Sequence, residues 1–491
     1  MRVPAFGFAL TALVAGAATG EDSPWNHLET VWEAKAELQF TLAPLLDQGL
    51  MPVLNHVPDP AHPGPGTPQL SLLDLEAGTA KWTIPTGSDV ECMVSAGDLI
   101  VLATSGTGAA EPAMVAACRV ADGEVVWRLP LEARLDCGAD QDPASRQRNG
   151  YEDWARTPGI GGGLVAEGDR VFLKEGQRVF CLARESGNVL WGTDVGFSLS
   201  APLTPCGKLL LAANTGQGLH ALDQQTGGIL WTAPIDNTMR IYSLGDPIYI
   251  ETHDYWFGRL DPATGAPMWQ INVGSPGLMS ADPVADKLIL RSLDSVWILD
   301  AATGAEELKA PTSAGYASAF SDDTLYYCLP TAAGAHPTEL VAVGIADHRE
   351  RWRVPLDAAP DSLHHIAGNL LVSWTSFDIG ALRPADGSVF WEWHGQIAGG
   401  CIDDRSLTGE GNRIYFHTTD RVIGFDSETG KRFLDAPGAF YQRTTTGAFG
   451  PRPMPWMRLR GDSLCMRDLT DNEECLMSVR LTRVEGEPAG N

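Results

Sequence analysis

One short pattern returns nine times along this chain, and a chain so built folds as a repeat array. Its clearest copy is Ala221-Leu222-Asp223-Gln224-Gln225-Thr226-Gly227-Gly228-Ile229-Leu230-Trp231. The skeleton is Asp, then Gly four residues on, then Trp four further on. It recurs at Asp74, Gly78 and Trp82 and at Asp261, Gly265 and Trp269. Asp300 with Gly304, and Asp426 with Gly430, keep it with Leu308 and Leu434 at the Trp place. Gly123 with Trp127, Gly187 with Trp191 and Gly387 with Trp391 keep Gly and Trp without the Asp. A degenerate copy ends at Trp352, with His348 at the Gly place.

Seven of the eight intervals between Gly places are 38 to 45 residues, the length of a four-stranded blade. An apolar strand precedes each Asp, as in Leu219-His220-Ala221-Leu222. The Asp can bond the amides of the turn that follows, and Gly accepts the left-handed backbone the hairpin needs. The next strand carries the Trp, which radial sheets would bury against the neighbouring blade. The predicted fold is an all-β propeller of four-stranded blades, eight in number, with nine or ten as alternatives. The predicted organisation is a signal peptide over 1–20, an N-terminal extension over 21–60, the repeats over 61–440, and a C-terminal segment with a closing hairpin over 441–491.

The N-terminus reads as a cleavable leader. Arg2 is its only early charge, the run from Val3 to Ala18 is uncharged, and Ala15-Gly16-Ala17 offers a cleavage site. No later stretch is long and apolar enough for a membrane span, and no Cys lies in the first 90 residues to take a lipid anchor. The expected location is periplasmic or secreted. The 62 acidic and 35 basic residues give a net charge of −27, which argues against a nucleic-acid partner because phosphate binding needs clustered Lys and Arg.

The pattern resembles the pyrroloquinoline-quinone-type propeller repeat, A-L-D-x-x-T-G-x-x-x-W, which Ala221 to Trp231 matches at every fixed position. The resemblance covers roughly residues 60 to 440. It implies one of two groups: quinone-dependent dehydrogenases, or non-enzymatic scaffolds such as the lipoprotein propeller of the outer-membrane β-barrel assembly machinery. The dehydrogenase group's adjacent Cys-Cys pair and C-x-x-C-H haem motif are both missing. The scaffold group fits better, as a relative without a lipobox Cys. The expected function is a non-enzymatic scaffold for a protein or cell-envelope partner, with no cofactor. The alternatives are a quinone-dependent dehydrogenase with a divergent site, which would bind PQQ with calcium, and a carbohydrate-binding propeller.

Candidate sites divide between structural and functional readings. The repeat Trp residues read as inter-blade core. Trp256, Trp297, Trp374, Trp393 and Trp456 lie outside the repeat and are candidates for a ligand or partner surface. The one long interval, 64 residues, holds an insertion near Asp136 to Gly159. Its Asp140, Tyr151 and Trp154 make a candidate binding loop, against the plainer reading of a decorated surface loop. His253-Asp254-Tyr255-Trp256 is a second polar-aromatic run, placed where a loop between strands falls. His364-His365 cannot readily share a metal, because neighbours on a strand point to opposite faces. Cys465 and Cys475 would face each other in a hairpin centred on Thr470, within disulfide reach. Cys92 and Cys118 form a weaker pair, with buried free thiols as the alternative.

Overall fold

The computed structural model describes residues 27–35, 45, 48–57, 66–104, 112–131, 163–175, 177–196, 202–214, 218–235, 238–244, 247–274, 278–292, 294–312, 318–330, 338–356, 360, 362–374, 378–394, 407–417, 421–437, 456–460, 463–470 and 473–482. Among them are ten antiparallel sheets, nine of four strands and one of three. The fold is a PQQ-like β-propeller of four-stranded blades, and the sheet number stands at the top of the expected range of eight to ten.

The chain divides into two compact units. One comprises Gln39–Asp74 and Thr79–Ala310; the other comprises Met1–Leu38, Leu75–Gly78 and Pro311–Asn491. Each sheet runs up and down in chain order, as in Val90–Ala96, Leu99–Thr104, Met114–Arg119 and Val125–Pro130. The exception is the last sheet of the second unit. Its strands Trp456–Arg460, Ser463–Thr470 and Glu473–Thr482 are joined by His27–Lys35 as the fourth.

In the first unit, the first strands of consecutive sheets lie side by side: Val90–Ala96, Leu164–Glu167, Thr204–Cys206 and Thr238–Ser243. The first strand is thus the inner one and the Trp-bearing fourth strand the outer one. Exposure follows that order: Leu99–Thr104, a second strand, is buried throughout, whereas Val189–Asp194, a fourth strand, alternates between exposed and half-buried.

Both faces of the inner strands are apolar because each faces a neighbouring sheet. Val101 and Ala103 pack with Val171 and Leu173 of the next sheet, while Ile100 and Leu102 pack with Leu70 and Leu72 of the preceding one. The core is therefore a series of layers between consecutive sheets. The same arrangement recurs in the second unit, where Tyr326 and Leu340 pack with Leu370 and Val372.

Two cysteine expectations are corrected. Cys92 and Cys118 are buried free thiols, packed in different inter-sheet layers on opposite faces of one sheet. In the C-terminal hairpin Thr470 pairs with Glu473, Cys465 with Ser478 and Cys475 with Asp468. The hairpin is not centred on Thr470, so Cys465 and Cys475 stand three positions out of register. Three residues of strand span roughly 10 Å, beyond the reach of a disulfide between Cα atoms about 4.4–6.8 Å apart.

Candidate functional site

The repeat residues form one local device. In the clearest copy Asp223 Oδ1 accepts the amides of Gln225 at 2.9 Å and Thr226 at 2.7 Å, and the Thr226 hydroxyl at 3.0 Å. Thr226 Oγ1 in turn accepts the Gly228 amide at 3.3 Å. The Gly227 amide donates to the Asp223 carbonyl, and the Asp223 amide to the Gly228 carbonyl, both at 2.8 Å. Gly227 sits at φ 72°. Asp261, Asp300 and Asp426 hold their turns the same way.

Copies without the Asp keep the turn by a route the sequence analysis missed. There the residue before the Gly place accepts the amide of the residue after it: Asp122 from Glu124, Ser186 from Asn188, Asp347 from Arg349 and Asp386 from Ser388. An Asp, Ser or Thr just before the Gly place was the legible signal. His348 keeps the left-handed turn at φ 56° although it is not glycine.

Seven of the repeat Gly residues then receive the Trp of the preceding repeat. A Cβ on Gly123 would lie 2.7 Å from Trp82, and one on Gly187 would lie 2.5 Å from Trp127. Gly227, Gly265, Gly304, Gly387 and Gly430 meet Trp191, Trp231, Trp269, Trp352 and Trp391 in the same manner. The indole N–H also binds the next turn: Trp82 donates to the Val120 carbonyl at 2.9 Å, Trp127 to Arg184 at 2.7 Å, and Trp231 to Pro262 at 2.8 Å. Where Arg259 takes the Ala301 carbonyl and Asn369 takes that of Ser427, the Trp269 and Trp391 N–H groups are left without a partner.

The turn hydrogen bonds hold the Asp carboxyls below the usual carboxylate range. The Thr226 amide and then its hydroxyl act on Asp223, the Ala263 amide and then the Thr264 hydroxyl on Asp261, and the Thr303 hydroxyl and then its amide on Asp300. A carboxyl lowered in the folded state contributes stability above its unfolded pKa, about 3.9, and loses it as pH falls through the folded value. The melting temperature should therefore fall as pH drops below about 4. Combined Asp223→Asn, Asp261→Asn and Asp300→Asn substitutions should flatten that slope in a thermal-melt series, and an unchanged slope would refute the assignment.

In an up-and-down sheet these turns share one end with the turns between first and second strands. The opposite end carries the turns between second and third strands and the links to the next sheet. There Ile248–Thr252 and Trp256–Leu260 are joined by His253, Asp254 and Tyr255. His253, Asp254 and Trp256 are exposed, Trp256 at 41%, and Tyr255 takes φ 63°. The Trp256 amide donates to Thr252 Oγ1 at 3.2 Å and the Val273 amide to the Tyr255 carbonyl at 2.9 Å, which fixes the turn to its sheet. The insertion with Asp140, Tyr151 and Trp154 follows Val125–Pro130 in the chain and lies outside the described residues.

Just inside this turn lies a buried polar group that sequence reasoning did not find. Glu251 has no exposed surface. It accepts the Tyr242 hydroxyl at 2.9 Å and the Leu278 amide at 2.8 Å, with Arg240 at 3.7 Å. Arg240 donates to the Leu278 carbonyl at 2.8 Å. Leu278 begins the next sheet, so the group ties two inner strands together.

The other candidates sort by burial. Trp297, at 1% exposure, is core under Lys309, not a ligand surface. Trp393 packs partly buried against Phe416 and Phe425. The side chains of Trp374 and Trp456 lie outside the described residues. His364 is half-buried and His365 exposed, stacked on Tyr326. Among the described residues no group of three or more His, Cys, Asp or Glu could hold a metal ion. No helix among them is long and apolar enough to cross a membrane. Burial pushes the Cys118 and Cys328 thiols up to about 12, so both stay protonated and unreactive.

The sheets, the saturated Asp turns and the Gly–Trp contacts define a PQQ-like repeat propeller. Within that class the chain belongs to the family described as outer membrane protein assembly factor BamB, whose model matches residues 113–328 and 253–449. Among solved structures it is similar to BamB from Moraxella catarrhalis at 15% identity, covering 69% of this chain and 93% of that one with a TM-score of 0.35. It is also similar to the quinohemoprotein alcohol dehydrogenase ADHIIG from Pseudomonas putida HK5 at 11% identity, covering 81% and 75% with a TM-score of 0.36. Saccharomyces cerevisiae Sqt1 matches at 9% identity, covering 72% and 98% with a TM-score of 0.35. No curated protein matches the chain.

Proposed function

We propose that this chain is a periplasmic or secreted, non-enzymatic scaffold that binds a protein or cell-envelope partner. The family match, to an outer membrane protein assembly factor, carries this reading. The chemistry of the sites supports it. At the Asp-turn end the motif carboxylates are engaged by their own turns, so that end serves the fold. The opposite end presents Trp256 on a turn anchored to its sheet. Exposed aromatic residues on rigid supports are the usual anchors of protein interfaces.

The test is capture from a cell-envelope extract by the full chain, followed by titration with the purified captured protein. Trp256→Ala should weaken that binding at least about tenfold, the scale of an aromatic anchor, and leave the melting temperature unchanged. A saturable absorbance change with PQQ and calcium, together with dye-linked alcohol oxidation, would overturn the scaffold reading.

A further inference from the structure

The fourth strand of the last sheet comes from the opposite end of the chain. His27–Lys35 pairs antiparallel with Glu473–Thr482, from His27 opposite Thr482 to Lys35 opposite Cys475. Its register slips once, with Thr30 opposite Val479 and Trp32 opposite Ser478, so Val31 is passed over. The tethered fourth strands slip at the same place. Lys81, Val126, Leu190, Leu230, Met268, Arg351 and Phe390 are each passed over, one residue before the repeat Trp. Thr30-Val31-Trp32-Glu33 also matches Val125-Val126-Trp127-Arg128 in pattern. By register and by sequence, His27–Lys35 is a repeat fourth strand that has lost its turn, and Trp32 stands at the repeat Trp position.

The missing turn changes how the strand is held. The tethered fourth strands are kept beside their third strands by a tight turn, and so short a loop costs little to close. His27–Lys35 is separated from its partner by nearly the whole chain, so the same strand of a second molecule competes on terms set by concentration. An outer strand that leaves also uncovers the edge of Glu473–Thr482, which pairs with any matching strand. We propose that His27–Lys35 is an exchangeable strand, sealing its own last sheet in the monomer and that of a second copy in a reciprocally swapped dimer.

Cys475 supplies the test. A chain with Lys35→Cys and Cys475→Ser cannot link to itself across this pair, but can link to the native chain if its strand enters the native sheet. In an equal mixture under mild oxidant, peptide mapping should find heterodimers joining position 35 to Cys475, in amounts that rise with protein concentration. A Glu29→Cys, Cys475→Ser chain, whose new thiol would stand opposite Arg480, should give none. If Lys35→Cys alone links within one chain and the mixture yields no heterodimer, the strand does not exchange and the proposal fails. It fails equally if the Glu29→Cys mixture links as readily. Sedimentation of the native chain gives an independent readout: a dimer that grows with concentration is expected, and a strict monomer up to about 1 mM, the scale of a tethered strand's effective concentration, overturns the idea.

Discussion

Replacing Gly187 with alanine is expected to cost about 2–5 kcal/mol of folding stability, read from denaturant unfolding. Two effects add. Gly187 sits at φ 68°, where a Cβ costs roughly 1–2 kcal/mol. The new Cβ would also meet the Trp127 ring at 2.5 Å, and overpacking of that kind costs roughly 1–3 kcal/mol. The ring has little freedom to yield, because its N–H is held by the Arg184 carbonyl at 2.7 Å. Trp127→Ala alone should cost about 3–5 kcal/mol through the cavity it leaves. With Trp127 already removed, Gly187→Ala should cost only the backbone strain, about 1–2 kcal/mol. Equal cost in both backgrounds would show that Gly and Trp are not coupled.

The second large effect is expected at Glu251. Glu251→Ala should cost about 3–5 kcal/mol, because it removes the buried carboxylate that faces Arg240 and accepts the Tyr242 hydroxyl and the Leu278 amide. Glu251→Gln keeps an oxygen for the Leu278 amide and should cost less, about 1–3 kcal/mol. Replacing the pair together, Arg240→Met with Glu251→Leu, should cost less than Glu251→Ala, since no unpaired charge is left behind. Losses below about 0.5 kcal/mol for both single variants would remove the group from any role in joining the two sheets.

These two sites differ in how far they could be read in advance. The Gly–Trp contact repeats at near-constant spacing, and each partner lies one repeat from the other, so the pattern itself names both. Glu251 and Arg240 carry no such mark. In a chain with 62 acidic residues a single Glu and Arg eleven apart mean nothing until the strands that bear them are paired. Trp297 shows the converse: its place outside the repeat pointed to a surface, yet it fills the layer between two sheets. Trp256, the exposed tryptophan of that group among the described residues, is recognisable only because the turn before it keeps it out of those layers.

Strand order within a blade, the turn chemistry and the partner of each repeat Trp are local matters, set by residues within a turn or one blade apart. The sequence by itself determined them, and with them the propeller fold. Register and long-range pairing are not local. The C-terminal hairpin is centred between Thr470 and Glu473, and that alone moves Cys465 away from Cys475. The fourth strand of the last sheet comes from residues 27–35, although Thr30-Val31-Trp32 carries the repeat pattern in plain view. Only the tertiary structure decided these points, because an antiparallel strand accepts many partners and registers of similar local energy, and the choice among them rests on which faces the neighbouring sheets bury.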